Sequence, residues 1–189
     1  TYVTEKNIKT SIKDRYERKK SQDDDRTQIL WDSIKNLENP IESLIELNKI
    51  SQEDIILISS FHASLLTSLF DEQYNNFPPE LRTQASLLIS SLLCNNISLV
   101  SLFEHAGLIY LVYPLFPHFR IPSFLHFYAE RSFECSKFLI ENGFVSKLIK
   151  LLSLHNSESE SNESEENFLD YILCAGSICD FSQYKDQLL

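Results

Sequence analysis

A short glycine-centred pattern occurs twice in this chain of 189 residues and constrains its fold more than any other feature. Residues 103–109 read FEHAGLI, and 36 positions later residues 139–145 read LIENGFV; an aliphatic segment follows each copy. Two of the chain's three glycines, Gly107 and Gly143, hold the equivalent place. Glycine enters the left-handed region without a Cβ clash, so it suits a point where one helix stops and another begins. A turn repeated between apolar helices predicts stacked helical repeats and a binding surface rather than a catalytic pocket.

Apolar residues at helical spacing continue through most of the chain. Pro78 and Pro79 are typical of a helix start, because proline fits the first turn. One broad buried face is expected after them, made of Leu81, Ala85, Leu88, Ile89, Leu92 and Leu93. A second is expected in 144–154, made of Phe144, Val145, Leu148, Ile149, Leu151 and Leu152. Since the sequence shows no β-alternation with hairpin turn residues, the predicted fold class is all-α.

Two further helix boundaries are predicted from shorter patterns. Residues 51–54, SQED, have the spacing of a capping box and predict a helix start before Ile55. Segment 59–69 aligns with 142–152 and places Ser60 where Gly143 stands, which predicts a third, weaker copy of the turn. Trp31 is expected to cover the open end of the first repeat.

The net charge of −10 is distributed unevenly. Residues 1–20 hold seven basic and three acidic residues, or +4, which leaves −14 on the other 169 residues. A basic arm on an acidic body can bind that body or an acidic partner. Nucleic acid is not an expected partner, because phosphates need clustered lysine and arginine. Membrane insertion is not expected either, since no apolar run reaches the ~18–20 residues that span a bilayer.

The residues that could support catalysis or metal binding are few. His126 and Glu130 lie one helical turn apart, but a metal site needs three or four converging ligands. The sequence contains neither a Gly-x-Ser-x-Gly elbow nor a glycine-rich phosphate loop. The four cysteines lack paired metal-ligand spacing and lie in apolar helical patterns, which favours buried free thiols. We therefore expect neither enzymatic activity nor a cofactor.

Helix triplets with a glycine before the last helix resemble the armadillo repeat. The resemblance implies a right-handed α-solenoid of three-helix repeats over residues 27–189, with units at about 29–70, 78–117, 119–154 and 167–189. The Ser/Glu-rich segment 155–167 is expected to be a solvated loop between units. Residues 1–26 form a basic arm with an acidic linker, and this order of parts looks like the N-terminal region of the importin-α family.

The importin-α resemblance implies two binding sites. Family members read cargo with a row of tryptophans and, one turn later, asparagines on the third helix of each repeat. The matching positions here are Leu87 and Ser91, then Ser123 and Phe127, then Ile172 and Gly176, so the tryptophan and asparagine row is replaced. An importin-β-like receptor would bind the arm through Lys13, Arg15, Arg18, Lys19 and Lys20.

Two functions remain open from the sequence. The first is an importin-α-like adaptor of the cytoplasm and nucleus, which binds cargo peptides in a concave groove and a transport receptor through its arm. The second is an armadillo scaffold in a cytoskeletal, ciliary or chaperone-associated assembly, whose groove holds a helix or loop of a partner. In both, the partner is a protein.

Overall fold

The computed structural model of the chain describes residues 24–53, 56–115 and 121–155, and every regular element in these ranges is a helix. The all-α prediction is therefore confirmed for this part of the chain. The helices are α1 (24–36), α2 (Pro40–Glu53), α3 (Ser60–Ser68), α4 (Pro79–Asn95), α5 (Val100–His105), α6 (Leu108–Val112), α7 (Ile121–Arg131), α8 (Phe133–Glu141) and α9 (Phe144–His155). Short 3-10 turns at Glu72–Tyr74, Ile97–Leu99 and Tyr113–Leu115 adjoin them.

Both glycine turns adopt the backbone conformation that the sequence predicts. Gly107 has a φ of 75° between α5 and α6, and Gly143 has a φ of 71° between α8 and α9. The N–H of Gly107 donates to the carbonyl of Glu104, and that of Gly143 to the carbonyl of Ile140. Each turn therefore ends one helix and begins the next within two residues.

The helices contact one another in a limited set of pairs around one hydrophobic core. Helix α4 lies between α2 and α7 and contacts both. Helix α3 contacts α5 and α6, while α8 follows from α7 and contacts α9. The predicted face of α4 is at most 3% exposed throughout, which confirms it: Leu81, Ala85, Leu88, Ile89, Leu92 and Leu93.

Helix α1 closes one end of this arrangement. Trp31 is 2% exposed and its ring stacks on His62 of α3, with 4.5 Å between the ring centroids. The Ser43 hydroxyl of α2 donates to the Ser33 hydroxyl over 2.9 Å. Trp31 is therefore buried core, as predicted, rather than an exposed binding residue.

One predicted helix start, at residues 51–54, and one predicted copy of the glycine turn, at Ser60, are wrong. Ser51, Gln52 and Glu53 form the end of α2, and residues 56–59 that follow are not helical. The capping box instead lies at α3, where Ser59 and His62 bond each other's backbone N–H groups. Ser60 is an ordinary helical residue, because Leu37 is the only non-glycine residue with positive φ in the described ranges. The spacing misled because a serine with a polar residue three positions on fits a helix end as well as a start.

The predicted core face of α9 is also wrong at two positions. Val145 is 40% exposed and Ile149 is 60% exposed, whereas Phe144 is fully buried. Helix α9 is the last described element, and α8 is the helix that it contacts most. One packing partner covers one side of a helix, so the second apolar side stays at the surface.

The cysteines differ from the prediction at one site. Cys135 is buried as expected, but Cys94 is exposed. Cys174 and Cys179 lie outside the described residues. Cys94 is exposed because it lies near the end of α4, on the side opposite Leu88 and Leu92.

In the described ranges, no single helix has both the length and the apolar character needed to cross a bilayer. The segments Ile97–His105 and Leu108–Leu115 are long and apolar enough only when they are taken together, and the angle between their axes is 69°.

Candidate functional site

An open groove runs across the surface where α2, α4 and α7 lie side by side. Its volume is about 380 Å³. We call it the α2–α4–α7 groove; its lining residues are Asn48 and Gln52 of α2, Leu87, Ser90, Ser91, Cys94 and Asn95 of α4, and Phe127 of α7.

Helical periodicity places these side chains in the groove. On α4, Leu87, Ser91 and Cys94 follow one another at i, i+4 and i+7, which puts them on one side of a helix. The buried residues of α4 occupy the other side. On α2, Asn48 and Gln52 are one turn apart while Leu44 and Leu47 are fully buried. Each helix therefore contributes its polar or mixed face to the groove and its aliphatic face to the core.

Hydrogen bonds fasten the two helices at one end of the groove. The hydroxyls of Ser51 and Ser91 are 2.8 Å apart, and the amide Nδ2 of Asn95 donates to the Ser51 carbonyl over 2.7 Å. Since the Ser51 carbonyl belongs to the last turn of α2, Asn95 satisfies a group that has no partner within the helix. Ser91 and Asn95 thus fix the distance between α2 and α4.

Polar atoms without a partner are concentrated at this site. Four buried side-chain atoms in the described ranges lack a hydrogen-bond partner: Asn48 Oδ1, Thr67 Oγ1, Ser90 Oγ and Arg131 Nη1. Asn48 and Ser90 line the groove, and Arg131 adjoins it. Folded proteins leave few such atoms unpaired, because each costs about 1–3 kcal/mol. Two residues of the groove lining thus each hold a buried polar atom that has no hydrogen-bond partner among the described residues.

One rim of the groove carries a cation. The guanidinium carbon of Arg131 lies 5.5 Å from the centroid of the Phe127 ring, a cation–π distance. Its Nη1 is 3.8 Å from Glu130 Oε2, so the two charges form a loose ion pair. The described lining residues include no Asp, Glu, Lys, Arg or His. The described part of the lining is thus uncharged, with the Arg131–Glu130 pair next to Phe127.

Three of the predicted groove residues come together here. Leu87, Ser91 and Phe127 line the same groove, and the Ser91 hydroxyl is hydrogen-bonded to the Ser51 hydroxyl. Ser123 lies in the first turn of α7. Ile172 and Gly176 lie outside the described residues, as do the arm positions Lys13, Arg15, Arg18, Lys19 and Lys20.

The sequence reasoning missed the polar side of the groove. Asn48, Gln52, Ser90 and Asn95 were not singled out, because the importin-α pattern marks only Leu87 and Ser91 on α4 and no position on α2. A signal was present on α2, where the two amide side chains Asn48 and Gln52 lie one turn apart.

Three residues of α7 have side chains of the kinds that bind metal ions or transfer protons: His126, Tyr128 and Glu130. No three His, Cys, Asp or Glu side chains there are placed to hold one metal ion, and His126 and Glu130 gain no third ligand. On α7, burial raises the pKa of Tyr128 well above its usual range, and nearby Cys135 and Glu104 raise it further. The Tyr128 phenol is therefore neutral and 1% exposed, out of reach of a substrate.

Comparison of the chain with protein-family models, with curated proteins and with solved structures gives no match. The armadillo and importin-α resemblances therefore rest on the sequence patterns alone.

Proposed function

We propose that this protein is a non-enzymatic adaptor that holds a peptide segment of another protein in the α2–α4–α7 groove. The observation that carries the proposal is one open groove whose lining combines apolar side chains with amide and hydroxyl side chains. Leu87 and Phe127 supply the apolar part, and Asn48, Gln52 and Ser90 belong to the polar part. Interfaces combine an apolar centre with a small number of polar groups in this way.

An extended peptide suits these groups chemically. A primary amide side chain offers one acceptor and two donors, so Asn48 and Gln52 can each pair with a peptide N–H and a peptide carbonyl. They lie one turn apart on α2, about 6 Å along the helix axis, which is close to the rise of two residues in an extended chain. Side chains of the bound segment would then point towards Leu87 and Phe127.

Selection of peptides from a random 12-residue phage library on the full chain tests this proposal. Selected peptides are then measured on two variants. Leu87→Arg fills the groove, and we expect it to weaken binding by at least about tenfold, as loss of a central interface contact does. Ile149→Arg is the matched control, because it adds the same side chain at an exposed site on α9. Recovery of no peptide, or of peptides that lose affinity equally on both variants, rejects the groove.

The armadillo solenoid is the architecture that we propose for the whole chain. Two features support it: a glycine turn before the last helix of two successive triplets, α4–α5–α6 and α7–α8–α9, and the packing of α4 against α7. In this scheme α2 takes the place next to α4, and α1 closes the end.

In the first version of the proposal, the transport form, the protein is an adaptor that moves between cytoplasm and nucleus. Its N-terminal arm binds an importin-β-like receptor through Lys13, Arg15, Arg18, Lys19 and Lys20. The support is the order of parts in the sequence. A pull-down with importin-β tests it, comparing the intact chain with one that lacks residues 1–25. Binding lost with the arm supports the transport form, and no binding by either chain rejects it.

The scaffold form keeps the groove and changes its occupant. It proposes an armadillo scaffold in a cytoskeletal, ciliary or chaperone-associated assembly, with a partner helix or loop in the groove. The apolar side chains of Leu87 and Phe127 in the groove favour the scaffold form over an adaptor that binds basic peptides. Enrichment of amphipathic helical peptides in the same selection would support the scaffold, and enrichment of Lys/Arg-rich segments the transport adaptor.

A further inference from the structure

Helix α1 ends in the same kind of turn as the two glycine turns, but with a leucine in place of the glycine. Leu37 has a φ of 57° and is the only non-glycine residue with positive φ in the described ranges. Its N–H donates to the Ile34 carbonyl over 3.2 Å, and the Glu38 N–H donates to the Ser33 carbonyl over 3.1 Å. These two bonds define a Schellman motif, whose left-handed position is usually a glycine. A leucine there is strained, because its Cβ lies too close to the following carbonyl oxygen.

Helix α2 begins independently of α1. Pro40 is its first residue, where the missing N–H of a proline costs no helix hydrogen bond. The Asn39 carbonyl accepts from the Ser43 N–H over 3.1 Å, so the first turn of α2 closes on its own residues. Because a proline inside a helix clashes with the preceding turn, α1 and α2 are kept from joining into one continuous helix. Residues 37–39 therefore form a joint about which α1 can move while α2 stays intact.

Side chains hold α1 in its closed position. Trp31 is 2% exposed and Ile34 is fully buried, and both belong to the hydrophobic core. Trp31 stacks on His62 of α3, and Lys35 Nζ lies 5.7 Å from the centroid of the Phe61 ring on the same helix. The three α1 residues lie within about one helical turn of each other. A rotation about the joint therefore separates all these contacts together.

The strain at Leu37 acts against the closed position. In the closed state Leu37 holds the left-handed conformation, whereas an open joint lets it return to the backbone regions that a leucine prefers. A residue persists in a disfavoured region only where the surrounding structure forces it, and here that structure is the packing of α1 on the core. Strain of this kind makes opening about 5- to 30-fold more frequent than at an unstrained joint.

We propose that α1 is a strained latch, which opens about residues 37–39 as one unit while α2–α9 stay folded. Opening exposes the apolar site that Trp31 and Ile34 fill in the closed state, together with the His62 ring on α3. The latch thus controls access to an apolar surface whose residues are not those of the α2–α4–α7 groove. Proteins open locally in such units without unfolding as a whole. The latch is independent of the proposed function.

Amide hydrogen exchange of the full chain, measured by mass spectrometry of peptic fragments, tests whether α1 opens alone. In the wild type we expect the amides of α1 to exchange faster than those of α4. Ile89→Val, in the buried face of α4, should speed exchange in α4 about 2- to 10-fold and leave exchange in α1 unchanged. An equal acceleration in both helices would overturn the latch, because α1 would then open only when the whole fold unfolds.

Two substitutions at the joint separate backbone strain from the contacts of the leucine side chain. Leu37→Asn and Leu37→Ala both remove that side chain, but asparagine tolerates the left-handed region better than alanine does. We expect the amides of α1 to exchange about 3- to 10-fold more slowly in Leu37→Asn than in Leu37→Ala. Equal exchange rates in the two variants would show that strain at Leu37 does not drive opening, which overturns the proposal.

Trp31 gives an independent readout, because it is the only tryptophan of the chain. We expect its fluorescence to change at a lower urea concentration than circular dichroism, which follows the helix content of the whole chain. Coincident transitions would overturn the latch. A fluorescence midpoint that rises with protein concentration would also overturn it, since α1 would then be held by a second copy of the chain.

Discussion

Single residues decide where the helices of this chain stop. Gly107 and Gly143 hold positive φ angles that other residues adopt at a cost. His62 accepts a hydrogen bond from the Ser59 N–H through Nδ1 over 3.3 Å while its ring stacks on Trp31. The two glycine turns depend on the absence of a Cβ. The start of α3 depends on the unprotonated Nδ1 of His62.

We expect Gly143→Ala to lower the free energy of unfolding by about 1–2 kcal/mol, the cost of a left-handed residue with a Cβ. A Cβ at Gly143 would meet no heavy atom within 4 Å, so the cost comes from the backbone alone. Gly143→Asn should cost less, because asparagine tolerates this region. Urea denaturation measures both, and equal stabilities of wild type, Ala and Asn variants would contradict the glycine turn.

Acidification should destabilise the protein through His62. Burial lowers the pKa of His62 below its usual 6.5, against opposing contributions from the Leu57 backbone and Asp32. The folded state thus binds the proton less readily than the unfolded chain, so the contribution of His62 is complete above pH 6.5 and is lost as the pH falls below it. Protonation of Nδ1 would also break the bond from Ser59.

The measurement is the melting temperature between pH 7.5 and 5.5 for wild type and His62→Gln. Glutamine keeps the capping acceptor but does not titrate in this range. We expect the wild type to lose more stability than the variant over this interval. An identical decrease in the two proteins would show that His62 does not titrate as described.

Some connections between helices are held by hydrogen bonds from a side chain of a neighbouring helix. Arg82 of α4 is 6% exposed and donates to the carbonyls of Leu69 and Asp71 and to the Asn75 side chain, over 3.2, 2.8 and 2.8 Å. All three acceptors lie in the connection that follows α3, and the Asp71 carbonyl also accepts from the Tyr74 N–H. Arg82 therefore holds the α3–α4 connection against α4.

Replacement of Arg82 by methionine should cost about 2–4 kcal/mol, because it removes three hydrogen bonds from a buried guanidinium, among them the bond to the Leu69 carbonyl. Arg82→Lys should recover part of this loss, since a lysine has donors but not the planar fork. The matched control is Arg26→Met, which removes an arginine that is 59% exposed and paired with Glu46. We expect the control to cost less than about 1 kcal/mol in chemical denaturation. Similar losses at both sites would contradict the role of Arg82.

Sequence patterns predicted elements well wherever the signal was local. Three features were predicted correctly: the proline start of α4, its aliphatic face and the two glycine turns. Each of them depends on residues within one or two helical turns. The wrong helix start at Ser51 and the exposed Val145 and Ile149 have another origin. A capping pattern fits either end of a helix, and the number of faces of α9 that are covered depends on what packs beside it.

At the scale of the whole molecule, the packing of α4 between α2 and α7 creates the candidate site. Asn48 and Phe127 are 79 positions apart in the sequence, and only the packing of three helices brings them to one groove. The importin-α resemblance placed Leu87, Ser91 and Phe127 on a common surface, but it could not indicate the contribution of α2. The lateral order of helices is a property of the fold rather than of any segment.

Alkylation of Cys94 provides a readout inside the groove. Cys94 is exposed and lines the groove, whereas Cys135 is buried. Peptide mapping by mass spectrometry distinguishes Cys94 from Cys174 and Cys179, so the intact chain can be used. A ligand that occupies the groove should shield the Cys94 thiol from N-ethylmaleimide.

The rate of Cys94 alkylation, with and without the most enriched peptide of the phage selection, is the most direct test of the groove. At a peptide concentration ten times its Kd, we expect the rate to fall about tenfold, since only the free protein reacts. The rate in the Leu87→Arg variant should not change when the same peptide is added. An unchanged alkylation rate in the wild-type protein at saturating peptide would contradict binding in the α2–α4–α7 groove.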